Sequence, residues 1–168
     1  MSVDEVTRTE QVERTAQQPV GFSAELDDLL CFALYAASRA VTSRYRPLLD
    51  ELGLTYPQYL VMLVLWERGT LPVKDIGAAL QLDYGTLTPL IKRLESAGLV
   101  RRERSPQDER TVRVFLTEQG LDLRERALRI PGVIGDAMGL DPEEFENAKL
   151  LLRRLTANVS EERVSDER

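Results

Sequence analysis

Residues 83–117 read DYGTLTPLIKRLESAGLVRRERSPQDERTVRVFLT. Asp83 stands where a helix over about Tyr84–Ala97 needs an N-cap, and Gly98 stands where it needs a stop. Pro89 leaves two readings open. Either it kinks that helix, or the helix starts at Thr88 with Pro89 in its first position. Beyond Gly98, the segments Leu99–Arg104 and Thr111–Thr117 alternate by twos or are rich in strand formers. The polar stretch from Ser105 to Arg110 between them predicts a turn, and so a β-hairpin with a charged tip.

Upstream, Val73–Leu80 predicts a short helix with Ile76 and Leu80 facing inward, and Gln81-Leu82-Asp83 turns it into the next. Thr70-Leu71-Pro72 reads as an apolar link. Tyr56–Arg68 is a helix capped by Thr55, with Pro57 in its first turn and Gly69 past its end. It is apolar nearly all round, which places it at the centre of the core. Ser23–Arg46 predicts a helix capped by Ser23, with Pro47 as a break or kink near its end. Downstream, Glu118 to about Ile130 is helical, with an interruption near Pro131-Gly132. Asp141 caps a last helix, Pro142–Asn158, in which Phe145, Ala148, Leu151, Leu152 and Leu155 form a stripe.

The fold class is therefore mainly α with a small β-hairpin wing (α+β). A winged helix-turn-helix at 55–117 lies between a helical segment at 22–54 and helices at 118–159. Polar arms at 1–21 and 160–168 read as flexible. The flanking helices carry apolar faces that a small central domain does not cover. They read as dimerisation helices, the other reading being packing on their own chain.

Composition removes whole classes of function. The chain has 168 residues, no histidine and one cysteine, Cys31. Histidine-based triads, zinc fingers and intrachain disulfides are excluded. No P-loop or dinucleotide fingerprint occurs, so the reading is of a non-enzyme without cofactor or metal. No apolar run reaches the length of a membrane span, and the polar N-terminus is no secretion signal, so the expected compartment is the cytoplasm.

A net charge of −6 is unusual for a DNA-binding protein, but the charge is unevenly placed. Residues 92–113 hold seven Lys and Arg against four acids, a segment of +3 in a chain otherwise at −9. In the DNA reading, the helix from Asp83 enters the major groove. Tyr84, Gly85, Thr86, Thr88 and Pro89 form its first turns, and the threonine hydroxyls reach bases or phosphates. Lys92 and Arg93 reach phosphates, and Arg102 and Arg104 line the wing. At the tip, Asp108 orients Arg110 towards the minor groove.

Three stretches together resemble the MarR family of regulators: LCFALYAASRAVTSRYRPLL, TYPQYLVMLVLWE, and residues 82–120 from LDYGTLTP to LTEQG. They are most similar to its OhrR branch, the organic hydroperoxide-sensing repressors, over about residues 24–135. The Asp108-Glu109-Arg110 wing points to the family, and the spacing Cys31…Tyr35…Tyr45, with Tyr56, to the branch. The resemblance implies a homodimer on a pseudo-palindromic double-stranded DNA operator. It implies that Cys31 is the redox sensor, with Tyr35 and Tyr45 matching the tyrosines whose hydroxyls hold the reactive sulfur across the subunit boundary, and Tyr56 supporting them. Tyr84 stands where a small residue would enter the groove more easily, which bears on operator preference.

The chemistry of the residues agrees with this expectation. A thiol attacks a peroxide as its thiolate, and tyrosine hydroxyls that donate to the charged sulfur favour that form. Tyr35 lies four residues after Cys31, on the same helical face. Oxidation gives a sulfenic acid, and without a second cysteine a small cellular thiol is one partner for it, beside sulfenamide formation and over-oxidation. Two other readings stand beside this one: a repressor of the same fold released by a small aromatic ligand, and a one-cysteine peroxidase.

Overall fold

The computed structural model describes residues 25–105 and 108–165. It divides into two compact units, Met1–Ala40 and Val41–Arg168. In the first unit a 3-10 turn, Leu26–Asp28, precedes helix α1 (Leu30–Asp50), which ends in the second. The expected cap Ser23 lies outside the described residues, as does the arm 1–21. Continuous helix begins at Leu30 because Leu29 is extended. At the other end α1 runs through Pro47 to Asp50. Proline removes the bond to the carbonyl of Ser43 alone, and the burial of Leu49 with the packing of Leu48 on the core offsets that loss.

The second unit is built around α2 (Tyr56–Arg68). Its start is fixed by Gln58, whose Oε1 accepts from the Thr55 amide at 2.8 Å and the Thr55 hydroxyl at 3.0 Å. Tyr59, Val61, Met62, Val64, Leu65 and Trp66 are all buried, as the apolar circumference predicts. Strand β1 (Leu71–Pro72), helix α3 (Val73–Leu80) and helix α4 (Tyr84–Ser96) follow. Ile76 of α3 is fully buried and Leu80 packs at the edge of the core. Helix α4 starts at Tyr84, so Pro89 sits inside it. Buried Leu87, Ile91 and Leu94 hold α4 on the core despite the lost bond.

Strands β2 (Val100–Ser105) and β3 (Asp108–Leu116) form the wing, and β3 also pairs with β1. The sheet is antiparallel in the order β1-β3-β2. Two expectations change here. The link Thr70-Leu71-Pro72 contributes an edge strand, where a proline without an amide hydrogen is tolerated. The second hairpin strand begins at Asp108, so Arg110 lies on a strand and not in the turn. Pro106 and Gln107, part of the expected turn, lie outside the described residues.

Helix α5 (Glu118–Ala127) is capped by Thr117, whose Oγ1 accepts from the Gly120 amide at 3.0 Å. It ends earlier than expected, and a separate helix α6 (Ile130–Met138) follows. Pro131 cannot donate to the Ala127 carbonyl, so it closes α5 and fits the first turn of α6. Gly120 is needed for packing: a Cβ there would stand 2.0 Å from the Leu99 carbonyl oxygen. That approach lets the Trp66 indole donate to the Gly120 carbonyl at 2.8 Å, joining α2 to α5.

Asp141 caps α7 (Pro142–Ser165) by accepting from the Glu143 and Glu144 amides at 2.8 and 2.9 Å. The helix extends to Ser165, into the segment expected to be a flexible tail. Its leucines stay uncovered: Leu150, Leu151 and Leu152 are 61%, 55% and 46% exposed. No helix among the described residues is long and apolar enough to cross a membrane.

Candidate nucleic-acid interface and thiol site

The helix-turn-helix is α3 and α4, joined through Gln81, which takes a left-handed conformation at φ 55°. Asp83 organises the first turn of α4. Its Oδ1 accepts from the Thr86 amide at 2.8 Å and its Oδ2 from the Thr86 hydroxyl at 2.7 Å. These bonds hold the Asp83 carboxyl below the usual carboxylate range. The Thr88 hydroxyl donates to the Tyr84 carbonyl at 2.7 Å. Both threonine protons expected to meet DNA are thus used within the helix. A Cβ at Gly85 would come within 3.0 Å of the Asp83 carboxylate, so a small residue there serves the cap. Tyr84, by contrast, is 67% exposed.

The seven basic residues of 92–113 fall into two groups. Arg102 donates its amide and Nε to the Glu95 carboxylate at 2.9 and 2.8 Å, and its Nη2 lies 2.6 Å from Oε2. The Arg102 guanidinium holds the Glu95 carboxyl below its ordinary range. This pair ties β2 to α4. Arg101 pairs with Glu103 and lies over the Phe115 ring, 4.3 Å from its centroid. Arg113 donates to the Thr70 carbonyl at 3.3 Å. Lys92, Arg93, Arg104 and Arg110 are exposed and have no ion pair among the described residues. They supply the free positive charge of the surface formed by α4 and the wing.

At the wing, Asp108 accepts from the Thr111 hydroxyl at 2.7 Å and from the Arg110 amide at 3.1 Å. The Thr111 bond is the main reason its carboxyl sits below the usual range, and the charge of Lys74 adds to it. Asp108 therefore engages Arg110 through its backbone amide. The Arg110 side chain remains exposed.

The expected sensor residues fall in different units. In the first, Cys31 is a free, exposed thiol in the first turn of α1. Tyr35 follows one helical turn later, 56% exposed, and its hydroxyl accepts from Arg39 Nη1 at 2.9 Å. The hydroxyl proton is thereby left for another acceptor. In the second unit, Tyr45 and Tyr56 stack at 4.7 Å between ring centroids, tilted by 50°. Tyr59 extends the cluster at 5.9 Å from Tyr45 and meets Trp66 edge-on at 6.3 Å. Burial raises the Tyr45 and Tyr56 phenols and pushes Tyr59 up to about 12. All three phenols thus stay protonated at neutral pH.

Sequence reasoning missed Arg39, Tyr59, Glu95 and Lys74. Tyr59 was within reach, since it lies three residues after Tyr56 on one face of a helix. Glu95 and Arg102 are seven residues apart across a turn, a spacing that carries no signal.

Residues 43–126 match the family model described as transcriptional regulator SarA/Rot. The chain is 53% identical over 127 residues to the organic hydroperoxide resistance transcriptional regulator of Bacillus subtilis (strain 168), covering 76% of this chain and 84% of that one. It is 53% identical over 119 residues to the HTH-type transcriptional regulator TtmR of Methylorubrum extorquens (strain PA1), covering 71% of this chain and 61% of that one. The solved structure of reduced AbfR bound to DNA matches with a TM-score of 0.70 at 36% identity, over 81% of this chain and 93% of that one. Fold and relatives together define a winged-helix transcriptional regulator. The chain belongs to the MarR family, in the branch of the organic hydroperoxide resistance regulators.

Proposed function

We propose that the protein is a dimeric repressor that binds an operator through α4 and the wing and releases it when an organic hydroperoxide oxidises Cys31. The observation that carries this reading is one free, exposed cysteine a helical turn before Tyr35, in a chain half-identical to a hydroperoxide resistance regulator. The Cys31 thiolate attacks the peroxide O–O bond and becomes a sulfenic acid. The alkoxide leaves and takes a proton to become the alcohol. A small thiol then condenses with the sulfenic acid, forming a mixed disulfide and water. Across the subunit boundary of the dimer, Tyr35, Tyr45 and Tyr56 are the donors that favour the thiolate, and the raised phenols of Tyr45 and Tyr56 keep them in the donating form.

On DNA, Tyr84, Lys92, Arg93, Arg104 and Arg110 make the contacts. Asp83, Gly85, Thr86, Thr88 and Pro89 shape the first turns of α4, and Arg102 fixes the wing. Two copies join through their flanking helices, and the exposed leucines of α7 support this. Dimerisation spaces two recognition helices about 34 Å apart, one turn of DNA. An adduct at Cys31 shifts the helices that set this spacing, and both half-sites lose their contacts together.

A second reading, release by a small aromatic ligand without thiol chemistry, is supported by a cleft of about 380 Å³ beside Tyr59, Leu63, Trp66, Arg124, Leu128 and Pro131. Fluorescence anisotropy on DNA from upstream of the protein's own gene separates the two. One equivalent of organic hydroperoxide with a small thiol should abolish binding, and excess reductant should restore it. Cys31→Ser should stay bound throughout. Release of the serine variant by peroxide would overturn the thiol mechanism, and persistence of the wild-type complex would turn attention to the cleft.

A further inference from the structure

We propose that Tyr84 determines the operator preference of this protein by reading one thymine in each half-site through its 5-methyl group. The inference rests on the DNA-binding reading above and adds which base is read and by what.

In the first turn of α4, Asp83 accepts twice from Thr86, and the Thr86 and Thr88 hydroxyl protons are spent on Asp83 and on the Tyr84 carbonyl. Gly85 and Pro89 bring no polar side chain. Tyr84 remains: it is the first residue of the helix, 67% exposed, with its phenol in no hydrogen bond among the described residues. The part of α4 that leads into a major groove is therefore dominated by one aromatic ring.

An aromatic ring has little to offer the hydrogen-bonding edges of G, C or A. The apolar feature of the major groove is the thymine methyl. A ring set against that methyl buries apolar surface on both sides, and its hydroxyl is free to meet a neighbouring acceptor. Because Pro89 and the Asp83 cap stiffen the backbone under it, the ring is presented in a restricted direction.

The experiment uses the full chain and the DNA upstream of its own gene, with the bound site first located by footprinting. Each thymine in the site is replaced in turn by deoxyuridine, which removes the methyl and keeps the base pair. Wild-type affinity should fall about fivefold at one thymine per half-site, the low end of a base contact. Tyr84→Phe should show the same loss at the same base, and Tyr84→Ala should be indifferent to it. If the alanine variant keeps the wild-type deoxyuridine profile, Tyr84 does not read that base and the proposal fails. If Tyr84→Ala and Tyr84→Phe weaken binding equally at every site whatever its bases, with the salt dependence unchanged, the phenol contacts phosphate and the proposal also fails. Absence of sequence-specific binding by the wild type would overturn the DNA reading itself.

Discussion

Helices α2 and α7 both carry large apolar residues, and the fold treats them in opposite ways. In α2, Met62 and Leu65 have no exposed surface, and polar Gln58 is drawn under as a cap. In α7, three successive leucines at 150–152 keep about half their surface in contact with solvent. The two differ in how much of the helix is apolar and in how it is distributed: α2 is apolar nearly all round and needs an almost complete surround. Helix α7 carries Glu143, Glu144, Glu146, Lys149, Arg153 and Arg154 around its leucines. A helix of that kind wants one apolar neighbour, and these leucines stay exposed among the described residues.

The largest effect should come from breaking α2. Leu65→Ala removes a fully buried side chain from the most enclosed helix and should cost about 2–5 kcal/mol of folding stability. Urea unfolding should show a lower midpoint with DNA binding lost in parallel. The shift should be the same at every protein concentration. A loss well below 1 kcal/mol would mean that the surround of α2 collapses into the gap, and the contrast with α7 would weaken.

The opposite experiment is Leu151→Glu with Leu152→Glu in α7. Both side chains are about half exposed, so each chain should keep its helical content by circular dichroism. Assembly should fail instead. Light scattering at micromolar protein should give the monomer mass, and affinity for a two-half-site operator should fall by more than tenfold. A dimer that survives both substitutions would place the interface elsewhere, leaving the α7 leucines unexplained.

What sequence could say about these regions follows the same physical line. Helix α3 begins and ends where periodicity puts it, and Thr55, Asp83 and Asp141 begin their helices as expected. Each depends on interactions within a few residues. Strand β1 was invisible because two residues become a strand only when β3 lies beside them. Helix α6 was hidden because proline opens helices as readily as it ends them. The basic patch was legible as charge and illegible as contacts. Nothing in the order of residues tells that Arg102 is held by Glu95 and Arg113 by Thr70, while Arg104 and Arg110 are not.

The smallest effect belongs to that held pair, which sharpens the comparison because it is polar and lies within one chain. Glu95→Gln keeps the shape and an acceptor for the Arg102 amide but removes the charge. With both side chains about one-third exposed, the cost at neutral pH should be about 1 kcal/mol or less. Like the α2 defect, and unlike the α7 one, it should not depend on protein concentration. Its pH dependence has a definite sign. The folded Glu95 carboxyl titrates below its ordinary value of about 4.3, so its contribution is present above that pH. It fades as pH falls through the lower, folded value. The gap in urea midpoint between wild type and Glu95→Gln should therefore be constant from pH 7 down to about pH 5 and narrow below about pH 4. A gap that stays the same in acid would mean that Arg102 gains nothing from the charge of Glu95, and that shape alone joins the wing to the recognition helix.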